Sequence, residues 1–261
     1  MLKNPPPGYT DEVIITEACG PSIREIMTKA RIETGNTKLC SFSMDNIKRI
    51  GKQIGDAMLH LEKLKIFHLD LKASNVAFSR NFKYEMDTSL THAIISMSDF
   101  DIKVIDYGNS LAHSESGNPE GVKLVQPQNM RASEVFMGGS SLQQKDGCLV
   151  LWMPDRPIGS AIGGVLFNSR KGDTQLEIQQ SQFEMMIFRM NATISRETLE
   201  ESKQRGKCSL NFDFLNDYKE VNNNREGNNN QDYLMEFMRD DTDLPLFEFL
   251  KFALKFDPAI I

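Results

Sequence analysis

Four polar side chains that could do chemistry together stand within eight residues, in the stretch His68-Leu69-Asp70-Leu71-Lys72-Ala73-Ser74-Asn75. Asp70 is a carboxylate that can take a proton from a hydroxyl, and Lys72 an ammonium that can neutralise an anion. Asn75 offers an amide oxygen, a hard ligand for a divalent cation. A second carboxylate, Asp106, comes thirty-six positions after Asp70, in Asp106-Tyr107-Gly108. Twenty-eight positions after Asp106 stands Glu134, in Arg131-Ala132-Ser133-Glu134. Taken singly, each has a plainer use. An Asp in a loop is usually a cap or a solvated turn, and Asp-Tyr-Gly is a turn signal. Their order along the chain, and the elements beside them, single them out.

Those elements are legible from apolar periodicity. Ile47, Ile50, Ile54, Met58 and Leu61 recur at steps of three or four, so a helix is expected over 43–64, capped by Ser43 or Asp45. That stripe is core. The His68–Asn75 stretch follows this helix directly and runs into a strand, Val76-Ala77-Phe78. Asp106 follows a second strand over 102–105. Between the strands, 79–101 is a polar insertion. Upstream, Val13–Ile15 is a short strand, and Gly20-Pro21 breaks it and opens a helix carrying Ile23, Ile26 and Met27. Residues 1–11 form an extended, proline-stiffened lead-in to one domain over 12–261. The Asn-rich stretch 216–231 is low in complexity and is expected to be disordered. A last helix carries Leu246, Phe249, Leu250, Ala253 and Leu254 on one face.

Bulk properties exclude some functions. The chain has 261 residues, 40% of them hydrophobic, enough for a real core. Its net charge of −6 disfavours direct nucleic-acid binding and docking on anionic membranes. Cys19, Cys40, Cys148 and Cys208 form no C-x-x-C pair, so they read as reduced thiols of an intracellular protein. Of the four histidines, His60, His92 and His113 have no assigned place. No apolar run suggests a signal peptide or a membrane span.

The three motifs, in this order, resemble the H-x-D-L-K-x-x-N catalytic loop, the D-F-G loop and the A-P-E segment of eukaryotic protein kinases. The fold this implies is mainly α (α+β): the large, C-terminal kinase lobe, a helical bundle with short β-hairpins, with the N-terminal β-lobe missing. By that resemblance Asp70 is the base and Lys72 the cation beside the moving phosphoryl group, with ATP as donor. Magnesium would be held by Asn75 and Asp106. The stretch Ile14–Ser22 is similar to the strand and hinge that hold adenine. It places Glu17, Cys19, Ser22 and Ala77 around the base, with the Glu17 carbonyl and the Cys19 N–H facing it and Ala77 beneath. His68, Tyr107, Gly108, Glu134 and Asp146 take structural places.

Asp101–Ser110, Leu124-Val125-Gln126 and Gln182–Phe188 resemble the CDC-like (LAMMER) kinases of the CMGC group. That implies a serine/threonine, dual-specificity enzyme acting on protein, with an Arg/Ser-rich substrate and a nuclear location. The likeness covers about 12–258 and is poor over 147–157 and 192–240.

The departures set three expectations against one another. No G-x-G-x-x-G or ATP-positioning lysine stands before the hinge. Leu69 replaces the usual arginine, Pro127 an activation-segment threonine, and Ser133 the A-P-E proline. No arginine stands where Glu134 would find its partner. The chain is therefore a weakly active kinase that needs an N-lobe or a partner chain, a non-catalytic pseudokinase-type binding module, or an unstable decayed fragment.

Overall fold

The structure is a computed structural model, and it describes residues 16–36, 39–89, 92–112, 172–189, 200, 203–204 and 210–213. The expected Val13–Ile15 strand, the Asn-rich 216–231 stretch, the last helix, 147–157, most of 192–240, Glu134 and Asp146 lie outside those residues.

Helix α1 spans Ile23–Glu33 and starts on a capping box. Ser22 Oγ accepts from the Glu25 N–H at 3.3 Å, and the Glu25 carboxylate accepts from the Ser22 N–H at 2.7 Å. The Ser22 N–H and, at 2.8 Å, the Ser22 hydroxyl both donate to the Glu25 carboxylate and hold its pKa below the ordinary range. Strand β1 is Leu39–Phe42. Helix α2 runs Met44–Lys63, with Ser43 as its N-cap, in close agreement with the periodicity. Its end is set by Lys65 in the left-handed region (φ 59°), whose N–H reaches the Glu62 carbonyl at 2.9 Å.

Beyond α2 come β2 (Ile66–Phe67), a single 3₁₀ turn (Ala73–Asn75) and β3 (Val76–Phe78). Then follow β4 (Glu85–Asp87), β5 (His92–Ser96), β6 (Ile102–Val104) and β7 (Leu111–Ala112). Helix α3 covers Gln175–Arg189. Among the described residues the strands make three small sheets, β1-β5-β4, β2-β7 and β3-β6. β3 and β6 pair antiparallel with Ala77 opposite Lys103, and β2 and β7 pair with Phe67 opposite Leu111.

Residues 79–101 are more ordered than a polar insertion. β4 and β5 form an antiparallel pair within it, and β5 lies parallel to β1, Phe42 opposite Ile95. The inward residues Ala93, Ile95, Met97 and Phe100 are buried with Phe42 and Phe78. The Phe78 ring packs edge-on to Phe100 at 5.6 Å and stacks on Phe82 at 4.9 Å. Helix α3 joins the same core through Phe183, Met186 and Ile187. No helix among the described residues is long and apolar enough to cross a membrane.

One helix holds this insertion against the rest. The Asn46 amide, 5% exposed, donates to the Met97 carbonyl at 2.8 Å and accepts from the Met97 N–H at 2.7 Å. One turn on, Arg49 donates to the carbonyls of Ser98 (3.1 Å) and Phe100 (2.6 Å) and lies over the Phe100 ring. Gln53 Oε1 accepts from the Ile102 N–H at 2.8 Å. At positions 46, 49 and 53 these side chains line one face of α2 and take up backbone groups of Met97, Ser98, Phe100 and Ile102.

Asn46→Leu keeps the volume but strands both Met97 backbone groups. It should lower the unfolding free energy by about 2 to 4 kcal/mol in urea denaturation. Lys48→Ala, on the exposed side of α2, should stay within about 0.5 kcal/mol. The wild-type curve should be a single cooperative transition, which a decayed, unfolded chain would not give.

Candidate active site

The polar cluster lies where α2, after β2, turns into the 3₁₀ turn and β3. Asp70 is nearly buried, with its side chain 11% exposed. Its Oδ2 collects three donors: Lys72 Nζ at 2.8 Å, Asn75 Nδ2 at 3.2 Å and Asn109 Nδ2 at 3.3 Å. Asn75 Nδ2 also donates to the Asp70 carbonyl at 2.8 Å. Asp70 Oδ2 is thus saturated, and Oδ1, which accepts from no described residue, keeps its lone pairs for an incoming hydroxyl proton.

His68 fixes this loop to the next. The Asp70 N–H donates to His68 Nδ1 at 3.2 Å, so Nδ1 is unprotonated. Nε2 must then carry the proton, and it donates to the Ile105 carbonyl at 3.1 Å. Burial pushes the His68 pKa below its ordinary value, in keeping with a neutral ring. The ring also packs against Tyr107 at 4.8 Å, and burial raises the pKa of that phenol. The Ile105 N–H donates to the Asn75 carbonyl at 2.9 Å, which brings Asp106 beside Asn75.

Two residues of the cluster hold strained backbone. Leu69 has φ 60° and Asp106 φ 66°. Non-glycine residues in this region cost about 1 kcal/mol or more and persist where the surroundings over-determine them. The Leu69 side chain is buried, which anchors its turn. Asp106 is exposed, and its carboxylate accepts no hydrogen bond from any described residue. Asn75 turns its NH₂ to Asp70, and its Oδ1 meets no donor among the described residues. One free carboxylate and one amide oxygen fit magnesium, which prefers a few protein oxygens with the rest from water and phosphate. No group of three or more His, Cys, Asp or Glu able to hold a metal occurs among the described residues. A metal here would therefore arrive with phosphate oxygens.

The segment before α1 runs beside β3. The Gly20 N–H donates to the Phe78 carbonyl at 2.8 Å, and the Phe78 N–H donates to the Pro21 carbonyl at 2.9 Å. A Cβ on Gly20 would stand 2.8 Å from the Ser79 carbonyl, so this approach needs glycine. Glu17 and Cys19 lie on this segment and Ala77 on the strand beside it.

No protein-family model matches the sequence. Among solved structures, the crystal structure of the PF14_0431 kinase domain superposes with a TM-score of 0.60 at 19% identity, over 93% of this chain and 67% of that one. The fold is that of a protein-kinase domain. In all, 463 solved chains match, and at 19% identity the likeness to this one shows the fold alone.

Within that kinase fold, the expected residues divide. Asp70, Lys72, Asn75 and His68 are brought together, with Asp106, Tyr107 and Gly108 alongside. Ser22, expected at the base, is a helix cap: it is buried and its hydroxyl is engaged by Glu25 at 2.8 Å. Ala77, expected as a floor, retains only 1% exposure. Asn109 was not anticipated, because a lone Asn after Gly108 reads as turn chemistry. Its bond to Asp70 is visible only once the two loops meet. The Gln182–Phe188 stretch lies on α3, where Phe183, Met186 and Ile187 are core.

His68 makes stability depend on pH. Its folded pKa is depressed below the ordinary 6.5, so the unfolded chain binds the proton more readily. The contribution is complete above about pH 6.5 and is lost as pH falls toward the folded pKa. His68→Phe should flatten the fall in urea midpoint between pH 7 and pH 5, whatever it does to the midpoint at neutral pH. An unchanged slope would place the acid sensitivity elsewhere.

Proposed function

We propose that this chain is the hinge and large lobe of a LAMMER-type serine/threonine (dual-specificity) kinase, moving a phosphoryl group from ATP to a protein hydroxyl. The observation that carries it is the Asp70 carboxylate: Oδ2 is held by Lys72, Asn75 and Asn109, while Oδ1, like the carboxylate of Asp106, accepts from no described residue. Asp70 Oδ1 accepts the proton of the attacking hydroxyl, oriented by its three donors. Lys72, one-third exposed, neutralises charge on the moving group and holds Asp70 in place. Asn75 and Asp106 would hold magnesium, which when bound neutralises the phosphates of ATP. The net charge of −6 suits a basic, Arg/Ser-rich protein substrate. Turnover should be slow, since Pro127 supplies no hydroxyl where the family resemblance puts a threonine beside Asp70 and Lys72.

Pro127 and Ser133 also favour a second reading, a pseudokinase that binds such peptides without modifying them. One assay separates the two. The full chain is incubated with ATP, magnesium and an Arg/Ser-rich peptide, and phosphate on the peptide is measured by mass spectrometry. The enzyme reading expects slow phosphorylation that Asp70→Asn reduces at least ~100-fold, the scale of a lost general base. Transfer that survives Asp70→Asn would sink Asp70 as the base. No transfer with retained peptide binding would establish the pseudokinase.

A further inference from the structure

Lys103 and Glu17 form an ion pair that joins β6 to the segment before α1. The register shows where it runs. Ala77 pairs with Lys103, and directly opposed residues of an antiparallel pair project from the same face. Phe78 turns its own N–H and carbonyl the other way, to Pro21 and Gly20. β3 therefore lies between β6 and the segment carrying Glu17. To reach Glu17, the Lys103 side chain crosses β3 on the Ala77 face. Ala77 is 1% exposed, although it lies on a two-stranded ribbon at the edge of the proposed nucleotide site. The Lys103 and Glu17 side chains themselves are 41% and 72% exposed. Glu17 accepts a hydrogen bond from the Lys103 ammonium, and that bond is the first cause of the raised Lys103 pKa.

We infer that the Lys103–Glu17 pair is a strap over the base-stacking floor that sets affinity for the purine of a nucleotide. This rests on the nucleotide-site reading given above. A purine gains by stacking on apolar surface, and here it meets an ammonium–carboxylate pair first. The base displaces the pair to reach Ala77, and the cost is that of breaking an exposed ion pair. Such pairs are worth little, so the effect is bounded at roughly two- to five-fold in Kd.

Adenosine is the probe, because it carries the base without phosphate charge. Calorimetry on the full chain should show Lys103→Met and Glu17→Gln each binding adenosine about two- to five-fold more tightly than wild type. The charge swap Lys103→Glu with Glu17→Lys rebuilds the strap and should return the affinity to the wild-type value. Equal binding by wild type and Lys103→Met, weaker binding by Lys103→Met, or a swap that binds like Lys103→Met overturns the strap and leaves the nucleotide site standing. If adenosine and ATP with magnesium bind none of these proteins, while each still melts cooperatively, the strap and the nucleotide-site reading both fall.

Discussion

The imidazole of His68 is the constraint on which the site depends. One ring nitrogen accepts from the backbone of Asp70, and the other donates to the backbone of Ile105. A single rigid plane thus sets the distance between two loops that are thirty-six positions apart in sequence at their aspartates. Leu69 and Asp106, the residues next to these two contacts, are both held in the left-handed region. The strain at each is tolerated because the ring, the Ile105–Asn75 bond and the Ser110 hydroxyl on the His68 carbonyl leave the backbone no other path. A neutral imidazole does this at little electrostatic cost, and a protonated one would have no acceptor for the Asp70 N–H.

Helix α2 supplies the rigid body behind the ring. Its apolar stripe, Ile47, Ile50 and Ile54, fixes it in the core. Its polar row, Asn46, Arg49 and Gln53, binds the chain that leads from β5 into β6. β6 in turn ends one residue short of Ile105 and two short of Asp106. Packing on one face of α2 and hydrogen bonding on the neighbouring face therefore meet at the site. The charge of Asp70 is tolerated in a nearly closed place because three donors converge on one of its oxygens. Asp106, left exposed, is available for a cation.

What was legible in the sequence was local. The His68–Asn75 stretch lies within one loop, so its chemistry is written in adjacent positions. The stripe of α2 repeats every three to four residues, which gives its ends to within a residue. The β1–β5 pairing was invisible because its strands are parallel and some fifty positions apart, Leu39 opposite His92. β4, Glu85-Met86-Asp87, carries charge at both exposed positions, so nothing in it signals a strand. The cap role of Ser22 was not foreseen, although Glu25 three residues on is the signal for it. Asn109 and Lys103 act across chain crossings and leave no trace in spacing.

The central claim is that Asn75 and Asp106 form one cation position that a nucleotide completes. Paramagnetic relaxation tests it directly, with Mn²⁺ standing in for magnesium and amide signals followed by NMR. With ATP present, substoichiometric Mn²⁺ should broaden the Asn75 side-chain amide and the backbone amides of Tyr107 and Gly108. The Asn46 side-chain amide, held on α2 by Met97, should stay sharp. Without ATP the same Mn²⁺ should leave all of them sharp. Broadening that ignores ATP, or that centres away from Asn75 and Asp106, would contradict the account.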